Sequence, residues 1–169
     1  MIRPIVKYGA EVLHQPARPV ETVTGEVADL ARDMVETMYR APGVGLAAPQ
    51  VGVPLRLFVI DITLGHDPRG LITLVNPEWV SREGVQREEE GCLSLPGLNA
   101  PVARPARVAV KGIDLDGRER LYEGDGLLAR AFQHEMDHLD GTIYVDRLRG
   151  IRRSLMFRKI QKRIKAGGW

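Results

Sequence analysis

The sequence predicts an α+β fold: antiparallel β-sheets around a buried central helix carrying His-Glu-x-x-His, with an outer C-terminal helix. Three observations point there. Separate segments space their apolar residues at helical intervals, several short runs alternate as strands do, and the segment with the paired histidines is apolar around most of its circumference.

Residues 1–24, with Pro4, Gly9, Pro16 and Pro19, predict an irregular arm. GEVADLARDMVETMYR then places Val27, Leu30, Met34 and Met38 on one face, an amphipathic helix of about four turns. APGVGLAAPQVGVP interrupts with three prolines and three glycines. RLFVIDI and LITLVNPEWV predict strands, as does the segment leading into the EGCLSLPG turn. VAVKGIDLDGRERLYEG holds Asp116-Gly117 between two alternating runs, a hairpin signal. GDGLLARAFQHEMDHLDG is the second predicted helix, with Asp125 near its start and Gly141 placed to cap its end. Leu127, Leu128, Ala131, Phe132, Met136 and Leu139 surround it, and such a helix belongs in the interior. A third helix, over about residues 147–165, carries a stripe of Met156, Ile160 and Ile164 among arginines and lysines. No repeat and no linker divides the chain.

At 169 residues and 44% hydrophobic composition, the chain is long enough for one domain with a sizeable core. No stretch approaches the ~18 uncharged apolar residues of a membrane span. The opening MIRPIVKYG is interrupted by Arg3 and Lys7 and has no signal-peptide core. Cys92 is the single cysteine, so no internal disulfide forms and a reducing compartment fits. The expectation is a soluble, cytoplasmic protein without a membrane partner. Charge is uneven: nine of the 24 Lys and Arg fall from Arg147 onward with none of the 22 Asp and Glu, so an acidic body carries a basic tail.

His134 and His138 lie four apart on one side of a helix, close enough to share one ion, and burying them with Glu135 costs hydration unless something binds them. Glu135 lies about 100° round the helix from His134, beside a bound ion rather than on it, which suits a general base. Two ligands do not hold a catalytic metal. Candidates for the third are Cys92, His14, His66 and an unspecified carboxylate. His14 and His66 sit in polar loops, whereas Gly91 and Pro96-Gly97 bend the chain sharply around Cys92. Cys92 reads equally as a small buried hydrophobe or as a thiolate ligand.

Three segments, GVGLAAPQVG (43–52), EGCLSLPG (90–97) and QHEMDHLDG (133–141), together resemble bacterial peptide deformylase, a likeness that runs from the IVKYG opening to about residue 148. It implies a catalytic domain over 1–148, with 149–169 as a basic C-terminal helix and tail of the same domain. It also implies the metal ligands Cys92, His134 and His138, which leave a fourth position open as a catalytic site requires. Glu135 becomes the catalytic glutamate, and the Gln50 amide and Leu93 backbone N–H become donors to the developing oxyanion. The implied substrate is the N-formylmethionine of a nascent peptide. Val44, Gly45, Gly91, Leu127, Arg130 and Ala131 bind it beside His134, with Arg130 either lining the pocket by its stem with the guanidinium in water or lying outside it. The glycines of GVG let a peptide backbone approach and pair like an added strand. The implied ion is Fe²⁺, replaceable by Ni²⁺, Co²⁺ or Zn²⁺; ligand type alone admits zinc equally.

Two other readings compete. A small zinc endopeptidase would need a further His or Glu ligand well downstream of His138. An RNA-binding module with a structural metal would need four protein ligands, where three are found. The basic tail suits a polyanionic partner, and the RNA-rich surface near the ribosome's exit tunnel is where formylated chains emerge.

Overall fold

The computed structural model describes residues 1–169. Helix α1 (Gly25–Arg40) begins after Thr24, whose hydroxyl accepts from Val27 N, and buries Val27, Leu30, Met34 and Met38. Strands β1 (Gly45–Ala47), β2 (Leu57–Ile60), β3 (Ile72–Glu83), β6 (Arg107–Ile113) and β7 (Glu119–Asp125) form one antiparallel sheet in the order β1-β2-β3-β6-β7. The Asp116-Gly117 turn joins β6 to β7, as the sequence predicts. Strands β4 (Gln86–Cys92) and β5 (Leu95–Arg104) make a second, two-stranded sheet.

Strand β2 is buried on both faces, and its alternation separates two cores. Leu57 and Val59 join Met34 and Met38 of α1, while Phe58 and Ile60 join Phe132, Met136 and Leu139 of helix α2 (Gly126–Leu139). A third core packs Leu95, Leu98 and Val102 of β5 against Tyr144 and against Met156 and Ile160 of helix α3 (Gly150–Lys165). Helix α2 thus lies inside, between the main sheet and the β4–β5 hairpin.

Four expectations need correction. The arm is less irregular than its prolines suggest: a short helical turn spans Glu11–His14, Arg18 bridges Leu55, and the Asn76 side chain bonds both backbone groups of Val20. The third helix starts at Gly150, because residues Tyr144–Arg147 form their own 3-10 turn. Its apolar stripe ends at Ile160, since Ile164 lies beyond the body and is 41% exposed. Leu127, in the first turn of α2, is 52% exposed and lines a cleft rather than the interior. No helix is long and apolar enough to cross a membrane.

Candidate metal centre

Cys92 ends β4 at an irregularity that re-aims it. Gly91 pairs with Asn99, but the next pair is Cys92 with Leu95, so the register slips where the hairpin tightens. A Cβ on Gly91 would stand 2.4 Å from Asn99 Oδ1, so a larger residue there would have to displace that side-chain oxygen. Ser94 N–H donates to Cys92 Sγ at 3.4 Å and helps hold the sulfur inward.

His134 and His138 project from the buried side of α2 toward that sulfur. One ligand atom from each of Cys92, His134 and His138 lies within 4.8 Å of the others, and Cys92 Sγ is 3.3 Å from His138 Nε2. A tetrahedral ion with ordinary metal–sulfur and metal–nitrogen bonds separates such atoms by about 3.5 Å. The His134 ring is fixed on two sides. Its Nδ1 donates to Glu90 Oε1 at 2.8 Å, which leaves Nε2 for an ion, and the ring stacks on Tyr144 with centroids 6.1 Å apart. His14 and His66 lie elsewhere: His14 Nε2 accepts from Gly9 N, and His66 Nδ1 meets Thr63 O.

A buried ionic cluster backs the site. Glu90 accepts from Arg104 through both oxygens, at 2.6 and 2.8 Å, and from Arg130 Nη1. Arg104 also donates to Asp137, which takes two further bonds from Arg147. Burial alone would raise the Glu90 pKa, but Arg104 and His134 hold it down at about 2. Burial holds His138 well below the usual histidine range, reinforced by the charges of His134 and Arg104, so its ring is neutral and ready to ligate. For His134 burial works the same way, yet Glu135, Cys92 and Glu90 outweigh it and raise its pKa well above the usual value. Without a metal, these groups draw a proton's positive charge into the triad. Two imidazoles and a thiol, converging where positive charge is favoured, fit a divalent cation.

Beside the triad, Glu135 is buried, and its Oε1 meets no hydrogen-bond donor. Burial pushes its pKa up to about 7. Gln50 is buried too, with Oε1 accepting from Ala47 N at 3.0 Å and Nε2 directed at Ser94 Oγ (3.2 Å) and Cys92 Sγ (3.5 Å). The Leu93 backbone N–H meets no acceptor in the chain.

Gln50, Cys92, Leu93, His134 and Glu135 line one cleft of about 560 Å³, together with Val44, Gly45, Gly91, Leu127, Arg130 and Ala131. His138 is buried behind it. Arg130 corrects one expectation. Its side chain is only 4% exposed, and its guanidinium turns inward to Glu90, Gln86 and Val102 rather than outward to water. An ion-paired carboxylate within reach satisfies the charge better than a long path to solvent.

Glu90, Arg104, Asp137, Tyr144 and Ser94 escape the sequence reading. Glu90 hides in the acidic run 88–90, where only strand alternation from Cys92 would mark it as inward-facing, and Asp137 hides inside the histidine motif itself.

A sequence model described as polypeptide deformylase matches residues 2–154. The peptide deformylase of Acidobacterium capsulatum is 50% identical over all of this chain and 99% of its own. That of Rhizobium meliloti is 43% identical over 99% of this chain and 97% of its own. Among solved structures, a peptide deformylase from Legionella pneumophila superposes with a TM-score of 0.90 at 46% identity, covering 98% of both chains. One from Thermus thermophilus also reaches 0.90, at 45% identity, covering 96% of this chain and 95% of that one. The chain belongs to the peptide deformylase family, metal-dependent hydrolases that remove the formyl group from N-terminal methionine.

Proposed function

We propose that Cys92, His134 and His138 hold the catalytic ion and that Glu135 is its general base. The observation that carries this is the convergence of three donors beside a buried carboxylate with a free oxygen. When bound, a divalent ion there supplies Lewis acidity to the formyl oxygen and to water. Glu135 Oε1 takes a proton from the attacking water, whose oxygen bonds the formyl carbon. The carbon–nitrogen bond then breaks, Glu135 returns the proton to the departing amine, and formate leaves.

Gln50 Nε2 and Leu93 N–H donate to the oxygen that becomes negative as the water adds. Ala47 N–H holds the carbonyl of the Gln50 amide, so Nε2 rather than Oε1 is turned toward Cys92 and Ser94. Val44, Gly45 and Gly91 lie along the cleft as backbone partners for an extended peptide. Leu127, Ala131 and the Arg130 stem wall the space for a methionine side chain.

The physiological ion in this reading is Fe²⁺, with Ni²⁺, Co²⁺ or Zn²⁺ able to replace it. The protein works in the cytoplasm on formyl-Met nascent peptides, with residues 1–148 as the catalytic body. The basic helix and tail, 149–169, hold it against ribosomal RNA near the exit tunnel. Protein isolated without oxygen should contain iron and hydrolyse a formyl-Met peptide, then lose activity in air as the iron oxidises. Anaerobic material that holds only zinc and is fully active would overturn the iron assignment. A protein with no hydrolysis under any of the four ions would overturn the site.

A further inference from the structure

Arg130 touches both the cleft and the cluster that orients a metal ligand. It lies one helical turn before His134 on the same side of α2, and its side chain is buried. Nη1 donates to Glu90 Oε2, while Nη2 donates to Gln86 Oε1 at 3.2 Å and Val102 O at 3.1 Å. Glu90 Oε1, the other oxygen of the same carboxylate, accepts from His134 Nδ1. One carboxylate therefore separates the Arg130 fork from a ligand histidine.

Resting on the metal reading above, we propose that Arg130 is a positioning residue for the metal centre. Its rigid fork anchors to β4 through Gln86 and to β5 through Val102, and so pins Glu90 in the plane that sets the tilt of the His134 ring. Arg104 grips the same carboxylate, but it also donates to Asp137, which Arg147 holds as well, so its position follows two acids. Arg130 engages Glu90 alone among the acids. An aliphatic residue at position 130 would wall the cleft equally well and leave Glu90 free to rotate about Arg104. Outer partners of ligand histidines commonly change metal affinity by ~10–100-fold.

The test is Co²⁺ binding, by chelator competition and by absorption of the Co²⁺-loaded protein, in wild type, Arg130→Met and Arg130→Lys. Arg130→Met keeps the wall and removes the fork, and should weaken Co²⁺ binding tenfold or more and displace the absorption bands. Arg130→Lys keeps the charge of the cluster but presents no fork, and should weaken binding at least threefold with a smaller displacement. A folded Arg130→Met with wild-type affinity and spectrum overturns the proposal. So does Arg130→Lys matching wild type in both, whether or not the Met variant folds. Wild type that binds no Co²⁺ would instead overturn the ligand assignment itself, a distinct result.

Discussion

A Cβ on Gly45 would stand 2.5 Å from Glu135 Oε2 and 2.8 Å from its carboxyl carbon. The glycine in GVG therefore makes room for the chain's own Glu135 carboxylate, besides the backbone approach the sequence suggests. Gly45→Ala should push Glu135 off its place and lower kcat about 10²-fold, the scale of a misplacement near 1 Å. Metal content by elemental analysis should stay at the wild-type level. A kcat within threefold of wild type would show that the carboxylate is not held to this position.

Glu135→Gln keeps the volume and removes the proposed base. Metal content should again be retained while kcat falls by ~10²–10⁴-fold. If the variant loses its metal and works once metal is restored, Glu135 serves the fold rather than the chemistry.

The Glu90 carboxyl titrates at about 2 in the fold, against an ordinary value of 4.5. A folded value below the unfolded one favours the ionised form, so its stabilisation is complete above 4.5 and is lost as the pH falls toward 2. Urea unfolding of chelator-treated protein should show midpoints dropping through this window. Glu90→Gln should start from a lower midpoint and show a shallower drop. Parallel curves for the two proteins would place the acid sensitivity on another group.

For the tail, charge removal is a cleaner test than deletion. Met156 and Ile160 are buried against Leu95 and Leu98, and each contributes about 2 kcal/mol, so removing residues 150–169 would damage the core. Arg152, Arg158, Lys159 and Lys162 are exposed. Changing all four to Gln should weaken ribosome co-sedimentation and lower the slope of log affinity against log salt by roughly 3–4. Hydrolysis of a short formyl peptide should not change. Unaltered co-sedimentation would place ribosome contact elsewhere.

How much of this was legible in the sequence depended on where the signal lay. The two histidines stood out through their spacing, a local pattern, whereas Cys92 between its turn residues read equally as a buried hydrophobe and became the implied third ligand through the family resemblance. Helix α1 and the β6–β7 hairpin were local too. Strand β5 was not, because Pro96-Gly97 read as a bend; in a two-stranded sheet each strand has an open edge, and a proline that faces it costs no ladder bond. Strand β1 is three residues long and takes its conformation from pairing with β2 rather than from its own composition. The Arg130 guanidinium read as solvated and Glu90 was one of three acids in a row, and only the packing of α2 against the β4–β5 hairpin makes them partners.

The division of the three proposed ligands, one at the end of β4 and two on α2, gives the proposed centre a mechanical meaning. Cys92 belongs to a hairpin that packs with α3, whereas the helix bearing the histidines packs with the main sheet. An ion shared by all three would clasp these two cores across more than forty residues of intervening chain. Its binding free energy is then also a resistance to opening between them, about 4 kcal/mol when the free ion is a thousandfold above its dissociation constant. Amide hydrogens at the β4–β5 turn should accordingly exchange faster when a chelator is present, while those in the middle of β2 keep their rate.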